Sequence, residues 1–285
     1  MKIAVVTDST SDIYDMKEDI AGLFKVPMQI STGEQTFLEA ETIDRNAVYD
    51  MLEEGKIFQT SLPPLGRMED LFTQLKTDGY DAIFAVVISS GLSSTVYAME
   101  GAAKTVGIDF YYFDLFSGAE IELYYAKAAR IMFDKGFSVE KVLERLEEAS
   151  QGSATYIVAD NLRHLMRSGR LSPAAALLGG LLKIKPVMYL GKPTGGKLVP
   201  VAKPRTMRRA LENIVERYVE DGVNKDSIVY VVHIRNLAMA NKLKDMIKDR
   251  IQGVEVEVKE LVIAVSIHIG LGGVATQFTK PINVN

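Results

Sequence analysis

The sequence contains no cysteine and no tryptophan, and it has only three histidines. Without cysteine the chain has no disulfide, no thiolate metal site and no cysteine nucleophile. The histidines, His164, His233 and His268, do not have the spacing of a metal site. The sequence therefore predicts no metal and no cofactor, and its chemistry must come from hydroxyl, carboxyl, amide and basic side chains.

Long apolar runs are also absent. No segment of about 18 apolar residues occurs, and Met1 to Asp8 has a strand pattern rather than the pattern of a secretory leader. We therefore expect a cytoplasmic protein. A net charge of −4 gives no electrostatic reason to expect nucleic acid or an anionic membrane as the main partner.

The apolar pattern is that of an α/β protein. Of the 285 residues, 47% are hydrophobic, which is enough for one large domain or two smaller ones. Short apolar runs alternate with segments of helical periodicity, and the pattern restarts after Gln151-Gly152-Ser153. We therefore predict two domains, 1–152 and 153–285.

Three local predictions depend on periodicity alone. The pattern predicts a helix that contains Leu23 and Phe24, a helix over Pro173 to Leu182, and a strand over Val265 to Ile269. The last of these would place His268 at the end of a strand, directly before the glycines at 270, 272 and 273.

The most informative stretch runs from Ala85 to Thr95. An apolar run ends in a cluster of hydroxyls around Gly91, and a helical pattern begins at Val96. A buried parallel strand, a loop and a helix start offer an anion unpaired N–H groups and a positive dipole end. Phosphate and carboxylate both suit such a site. In the alternative interpretation, Ser93 or one of its neighbours only caps the helix.

Polar groups follow other predicted strands as well. They occur at Thr7 to Ser11, Thr60-Ser61, Ser117-Gly118 and His268 to Gly273. Because parallel strands end at the same edge of a sheet, these segments can contribute to one site. The alternative for His268 is a side chain satisfied by the backbone.

An enzyme is the alternative to a binding protein. Ser93 and His268 would be the nucleophile and base of a serine esterase or acyltransferase, but the segment around Ser93 lacks the second glycine of a nucleophile elbow. No carboxylate is evidently placed to orient His268. The sequence also has no phosphate-binding loop ending in Lys-Ser/Thr, so the chain itself is not expected to be a kinase.

Two basic residues and one apolar segment have open interpretations. Arg170 and Arg205 each follow a turn and begin a new segment, and they either receive an anionic group or lie on a solvated surface. Small residues and leucines alternate over 174–182, which suits ordinary core packing or an apolar ligand.

Seven short motifs occur in order along nearly the whole chain. They are Thr7-Asp8-Ser9-Thr10, Thr60-Ser61-Leu62-Pro63, Ser89-Ser90-Gly91-Leu92-Ser93, Ser168-Gly169-Arg170-Leu171-Ser172, Leu181-Leu182-Lys183-Ile184-Lys185-Pro186, Lys203-Pro204-Arg205 and His268-Ile269-Gly270. Together they resemble the DegV family, whose better-characterised members are FakB-type fatty-acid-binding proteins.

The resemblance implies two α/β domains. The N-terminal domain would have a mostly parallel sheet flanked by helices, and the C-terminal domain a mixed sheet that forms the acyl-chain pocket. The ligand would be a long-chain fatty acid such as palmitate, stearate or oleate, with its carboxylate at the domain interface. The protein would have no catalytic residues and would present the lipid to a separate, ATP-dependent fatty acid kinase, with transient membrane contact allowed.

The resemblance also assigns residues. Thr60 and Ser93 would bind the carboxylate, and Arg170 would face the partner and the phosphate. The head-group pocket would be lined by Ser61, Ser90, Gly91, Arg205 and His268. A protein that binds another small carboxylate or a phosphate is a further alternative, and it would have a filled core in place of an acyl pocket.

Overall fold

The computed structural model describes residues 1–33, 35–171 and 184–285, and these form three sheets. The helix predicted over 173–182 and the basic residue Lys183 lie outside the described residues. Within the described ranges, no helix combines the length and the apolar character needed to cross a bilayer.

The first sheet has four parallel strands with helices on both faces. The strands are β1 Ile3–Asp8, β2 Leu23–Val26, β6 Ala82–Ala85 and β7 Asp109–Tyr112, in the order β2-β1-β6-β7. Four helices cover it, α2 Leu65–Thr77, α3 Thr95–Val106, α4 Ala119–Asp134 and α5 Val139–Ser150. Alternation along β1 directs Ile3 and Val5 toward α4 and α5, and Ala4 and Val6 toward α2 and α3.

A small antiparallel sheet lies beside the first. Its strands are β3 Gln29–Thr32, β4 Gln35–Leu38 and β5 Gln59–Ser61, in the order β4-β3-β5, with helix α1 Arg45–Glu53 between β4 and β5. Strand β5 ends before Pro63 and Pro64, as the extended path predicted for this segment requires. This sheet holds Thr60 in a paired position opposite Ile30.

The third sheet is mixed and has six strands. They are β8 Ala154–Val158, β9 Val187–Leu190, β10 Val199–Ala202, β11 Ile228–His233, β12 Val256–Glu260 and β13 Val274–Thr279, in the order β10-β9-β8-β13-β11-β12. Only β11 and β12 pair in parallel. The predicted α/β fold, with a parallel sheet followed by a mixed one, is confirmed.

Different helices pack on the two faces of the six-stranded sheet. Helices α7 Met207–Glu220 and α8 Leu237–Arg250 pack on one face through a continuous apolar cluster. The other face contributes Ile157, Leu190 and Ala275 to a central cluster shared with α1, α6 Leu162–Ser168 and α9 Ile263–Ile269. This second face is the one that positions the candidate site.

Two of the local predictions were wrong. Leu23 and Phe24 belong to strand β2, because the segment between Gly22, with a φ of +79°, and Pro27 is short and pairs with β1. Residues 265–269 belong to helix α9, so His268 lies in the last turn of a helix. The run of apolar residues there fits both periodicities, and burial against the central cluster favours the helix.

Strand β13 was not predicted, although it is one of the two central strands of the mixed sheet. Its sequence, Val-Ala-Thr-Gln-Phe-Thr, carries three polar residues, yet every residue is buried. The side chains of Thr276 and Gln277 form hydrogen bonds that offset the loss of their contacts with water. The predicted division at residue 152 stays a prediction, and Ile282 near the end of the chain packs into the cluster beneath α4 and α5.

Candidate functional site

A cavity of about 560 Å³ lies between the six-stranded sheet, helix α9 and the loops that follow β1, β5 and β6. Its apolar wall includes Ile157, Leu190, Val232 and Ala275, all on one face of the sheet. Hydroxyl-bearing loops complete the wall. This volume falls within the range of small-molecule sites.

Most of the residues singled out in the sequence come together at this cavity. Those that line it are Thr60, Ser61, Ser90, Gly91, Ser93, Arg170 and His268. Two different segments of the first half and two of the second half therefore contribute to one space. Their roles in binding stay predictions.

Arg205 differs from that set. It lines a separate small pocket with Lys203, Arg209 and Glu212, and is not among the residues that line the cavity. The reason is the order of the strands: β10 is an edge strand, and the following helix α7 packs on the face of the sheet opposite the cavity. The prediction that Arg205 lines the same pocket is thus corrected.

Thr60 and His268 are in direct contact. The Oγ1 atom of Thr60 lies 2.8 Å from the Nε2 atom of His268. Burial, and after it the charges of Arg170 and the nearby His164, lower the pKa of His268 to about 3. At neutral pH the imidazole is uncharged, so Arg170 carries the positive charge beside this group.

Ser93 lies at the start of α3 and contacts its own segment. Its Oγ is 2.8 Å from the Oγ1 of Thr95 and accepts a hydrogen bond from the Thr95 N–H at 3.3 Å. Ser94 occupies the N-cap position without a side-chain cap hydrogen bond. Among the described residues, Ser93 and His268 do not share a hydrogen bond.

Gly91 brings two loops into close contact. A Cβ at this position would lie 2.3 Å from the carbonyl oxygen of Gly195 and 2.4 Å from that of Gly196. Beside it, the Oγ of Ser89 donates to the carbonyl of Gly196 at 3.1 Å. The loop after β6 therefore closes against the turn between β9 and β10, which local sequence patterns did not indicate.

A network of buried carboxyl groups contacts Thr10, which is one of the residues that line the cavity. The Oγ1 of Thr10 lies 2.5 Å from Asp8 Oδ1 and 2.8 Å from Glu122 Oε2, and Thr10 itself lines the cavity. Burial raises the pKa of both carboxyl groups. One hydroxyl has one proton, so hydrogen bonds to both acids require a protonated carboxyl. Because one of the two carboxyl groups is protonated, the network places less negative charge beside the cavity than two carboxylates would.

Glu39 connects helix α9 to the first half of the chain. Its carboxyl group accepts from the Ala264 N–H at 2.7 Å and from the Ser9 hydroxyl at 2.5 Å. Burial raises the pKa of Glu39 to about 8, so at neutral pH the group is largely protonated. The start of α9, and with it His268, is therefore anchored through a buried polar contact.

The described part of the chain has no group of three or more histidine, aspartate or glutamate residues arranged to hold a metal ion. The lining of the cavity offers hydroxyls, the neutral imidazole of His268, the amide of Gln277 and the guanidinium of Arg170 beside an apolar wall. Such a surface can bind a ligand with an anionic end and an apolar body.

Comparison with known proteins agrees with this architecture. A family model described as "Uncharacterised protein, DegV family" matches residues 2–280. The chain belongs to the DegV family. DegV of Bacillus subtilis, whose crystal structure is described as that of a fatty acid binding protein, shares 29% sequence identity, with a TM-score of 0.84 and coverage of 99% of this chain and 100% of that one.

Two streptococcal structures of lower identity share the fold. The fatty acid binding DegV family protein of Streptococcus agalactiae has 23% identity and a TM-score of 0.89, with 99% of each chain covered. The Fatty Acid Kinase (Fak) B3 protein of Streptococcus pneumoniae, loaded with linoleic acid, has 18% identity and a TM-score of 0.81, with 99% of this chain and 100% of that one covered.

Proposed function

We propose that this DegV family protein binds a long-chain fatty acid in the cavity. The carboxylate lies near Thr60 and Ser93, and the tail lies against the apolar face of the six-stranded sheet. The single observation that carries the proposal is the cavity itself, which joins apolar sheet residues to a group of hydroxyls. The description of the Bacillus subtilis DegV structure as that of a fatty acid binding protein supports this proposal.

The energetics of the cavity favour such a ligand. Each methylene removed from water contributes about 0.8 kcal/mol, so a long acyl chain gains most of its affinity from the sheet wall. The head group needs only hydrogen-bond donors that hold its charge, and the hydroxyls of Thr60 and Ser93 are of this kind.

Native mass spectrometry of the purified protein, followed by organic extraction, tests the proposal. We expect the protein to carry a single fatty acid that extraction releases and identifies. A protein that is empty and takes up no added palmitate, stearate or oleate would overturn the proposed function.

The hydroxyls of Thr60 and Ser93 provide the first mutational test. We expect Thr60→Ala or Ser93→Ala to weaken fatty-acid binding by roughly 1 to 3 kcal/mol, because each change removes a donor from a buried carboxylate. Titration calorimetry with stearate measures the effect. The control is Thr105→Ala, which removes an exposed hydroxyl of α3 far from the lining residues. Unchanged affinity in both site variants would move the carboxylate elsewhere.

We further propose that the protein works in the cytoplasm without catalytic residues of its own and presents the bound acid to a separate ATP-dependent fatty acid kinase. Neutral hydroxyl donors can hold a carboxylate and leave one oxygen open to phosphorylation. Arg170 is half-buried at the cavity, where its cation can stabilise the added phosphate. The name of the Streptococcus pneumoniae structure supports a link to such a kinase.

Replacing Arg170 separates presentation from binding. We expect Arg170→Ala to slow acyl phosphate formation at least about tenfold, with fatty-acid affinity reduced less than about threefold, because the phosphate adds negative charge that the carboxylate lacks. The assay uses the loaded protein with ATP and a fatty acid kinase. Arg167→Ala, an exposed arginine on α6, is the control. Equal losses of binding and phosphorylation would contradict this role.

A further inference from the structure

Gln277 is a buried polar residue on the apolar wall of the cavity. Alternation along β13 directs Ala275 and Gln277 toward the cavity, whereas Phe278 packs into the cluster on the opposite face of the sheet. The side chain of Gln277 is 2% exposed. An amide in this position needs a partner for each of its polar atoms.

The amide nitrogen of Gln277 has its partners. Nε2 donates to the carbonyl oxygen of Gly118 at 2.8 Å and lies 3.1 Å from the hydroxyl of Thr155. A carbonyl oxygen only accepts, so this contact determines which end of the amide carries the nitrogen.

The amide oxygen has none. Among the described residues, the Oε1 atom of Gln277 is buried and lacks a hydrogen-bond partner. A buried acceptor without a donor costs free energy, and a ligand that supplies the donor recovers it. An acceptor repels a carboxylate, so this atom does not bind the head group and instead suits a hydroxyl on the body of the ligand.

We infer that Gln277 makes the cavity selective for fatty acids that carry a hydroxyl group on the acyl chain. The inference rests on the proposed function and narrows its ligand class. The hydroxyl donates to Oε1 of Gln277, and the methylenes on either side contact the apolar neighbours Ile157, Leu190 and Ala275. A fatty acid without a hydroxyl on its acyl chain leaves Oε1 of Gln277 without a hydrogen-bond donor.

A comparison of isomers tests the inference. The probes are stearic acid and its 3-, 10- and 12-hydroxy derivatives, titrated into the delipidated full chain. We expect one hydroxy isomer to bind at least fivefold more tightly than stearic acid, since only one position of the hydroxyl reaches Oε1. In Gln277→Leu, we expect this gain to disappear while stearic acid binds as tightly as before or more tightly.

The outcomes separate this inference from the proposed function. If stearic acid binds and no isomer gains affinity, or if the gain survives in Gln277→Leu, the inference is overturned and the proposed function stands. If none of the four acids binds, both are overturned. Should Gln277→Leu fail to fold because Gly118 and Thr155 lose their partner, the ranking of the isomers on the unaltered protein still decides.

Discussion

Replacing Lys259 by methionine is expected to lower the free energy of unfolding by about 3 kcal/mol at pH 10, because it removes the cation that lies nearest to two buried acids. The Nζ atom of Lys259 lies 3.1 Å from Asp12 Oδ2 and 2.8 Å from Glu120 Oε2. The side chains of Asp12 and Glu120 are only 7% and 3% exposed. Lys259 thereby joins strand β12 to the first half of the chain.

The size of the effect depends on pH. Burial, and then the neighbouring Asp12, raise the pKa of Glu120 to about 8 even with Lys259 present. Because the pKa of Glu120 is higher in the folded state, the folded protein keeps a proton that the unfolded chain releases above about pH 4.5. The free energy of unfolding therefore falls as the pH rises from about 4.5 to about 8. Removing the cation raises the folded pKa further. Below about pH 8 both folded proteins keep this proton, and above it only the unaltered protein releases it, so the deficit of Lys259→Met should be small near pH 6 and large near pH 10.

Urea unfolding at both pH values measures this difference. The matched control is Lys248→Met, whose partner Glu255 is 3.4 Å away and 90% exposed, and we expect it to cost less than about 0.5 kcal/mol. Adding Glu120→Gln to the Lys259 variant should restore part of the loss at pH 10. A deficit that is equal at pH 6 and pH 10 would show that lost packing, not stranded charge, is responsible.

The second large effect is expected for Gly91→Ala. We expect it to cost about 3 kcal/mol of stability and to weaken fatty-acid binding at least about tenfold, because an added Cβ meets two backbone carbonyl oxygens that have no rotamer to change. Gly91 is not among the glycines with positive φ, so the effect arises from the contact alone. To relieve the overlap, the turn between β9 and β10 must move away from the loop that carries Ser90 and Ser93.

Gly101 provides the comparison. It is an exposed glycine inside α3, and an added Cβ there has no neighbour within 4 Å. Gly101→Ala should stabilise the protein by about 0.5 to 1 kcal/mol, as alanine does in helix interiors. Thermal unfolding and stearate titration of the two variants measure the difference. If Gly91→Ala binds and unfolds like the unaltered protein, the loops are not held together as described.

Local pattern was sufficient for the elements whose burial matches their periodicity. The strand before Ser89, the helix after it and the amphipathic helix α5 could be predicted because each has a clear apolar face. Helix α9 could not, since its apolar run fits a strand equally well. Strand β13 could not be predicted, because the free-energy cost of burying its polar side chains is offset by hydrogen bonds to residues that are distant in the sequence.

The candidate site was predictable to the extent that strand ends carry polar groups. Ser93, which comes after the parallel strand β6, follows that rule, whereas Thr60 lies within strand β5 of the antiparallel sheet; both line the cavity. Arg205 does not reach it because its position depends on strand order, which no local pattern encodes. Gln277 was missed for a related reason: its place on the cavity wall follows from pairing with β8 and β11.

The central position of β13 has a consequence for synthesis on the ribosome. Strands β8, β9 and β10 emerge first and β11 and β12 next, yet these two groups pair with each other only through β13, which is made last of the six. Until residue 279 has emerged, β8 and β11 each present an open edge, and such edges are sites of aggregation. The nascent chain therefore has a vulnerable interval that closes only when its final strand inserts between two half-sheets already made.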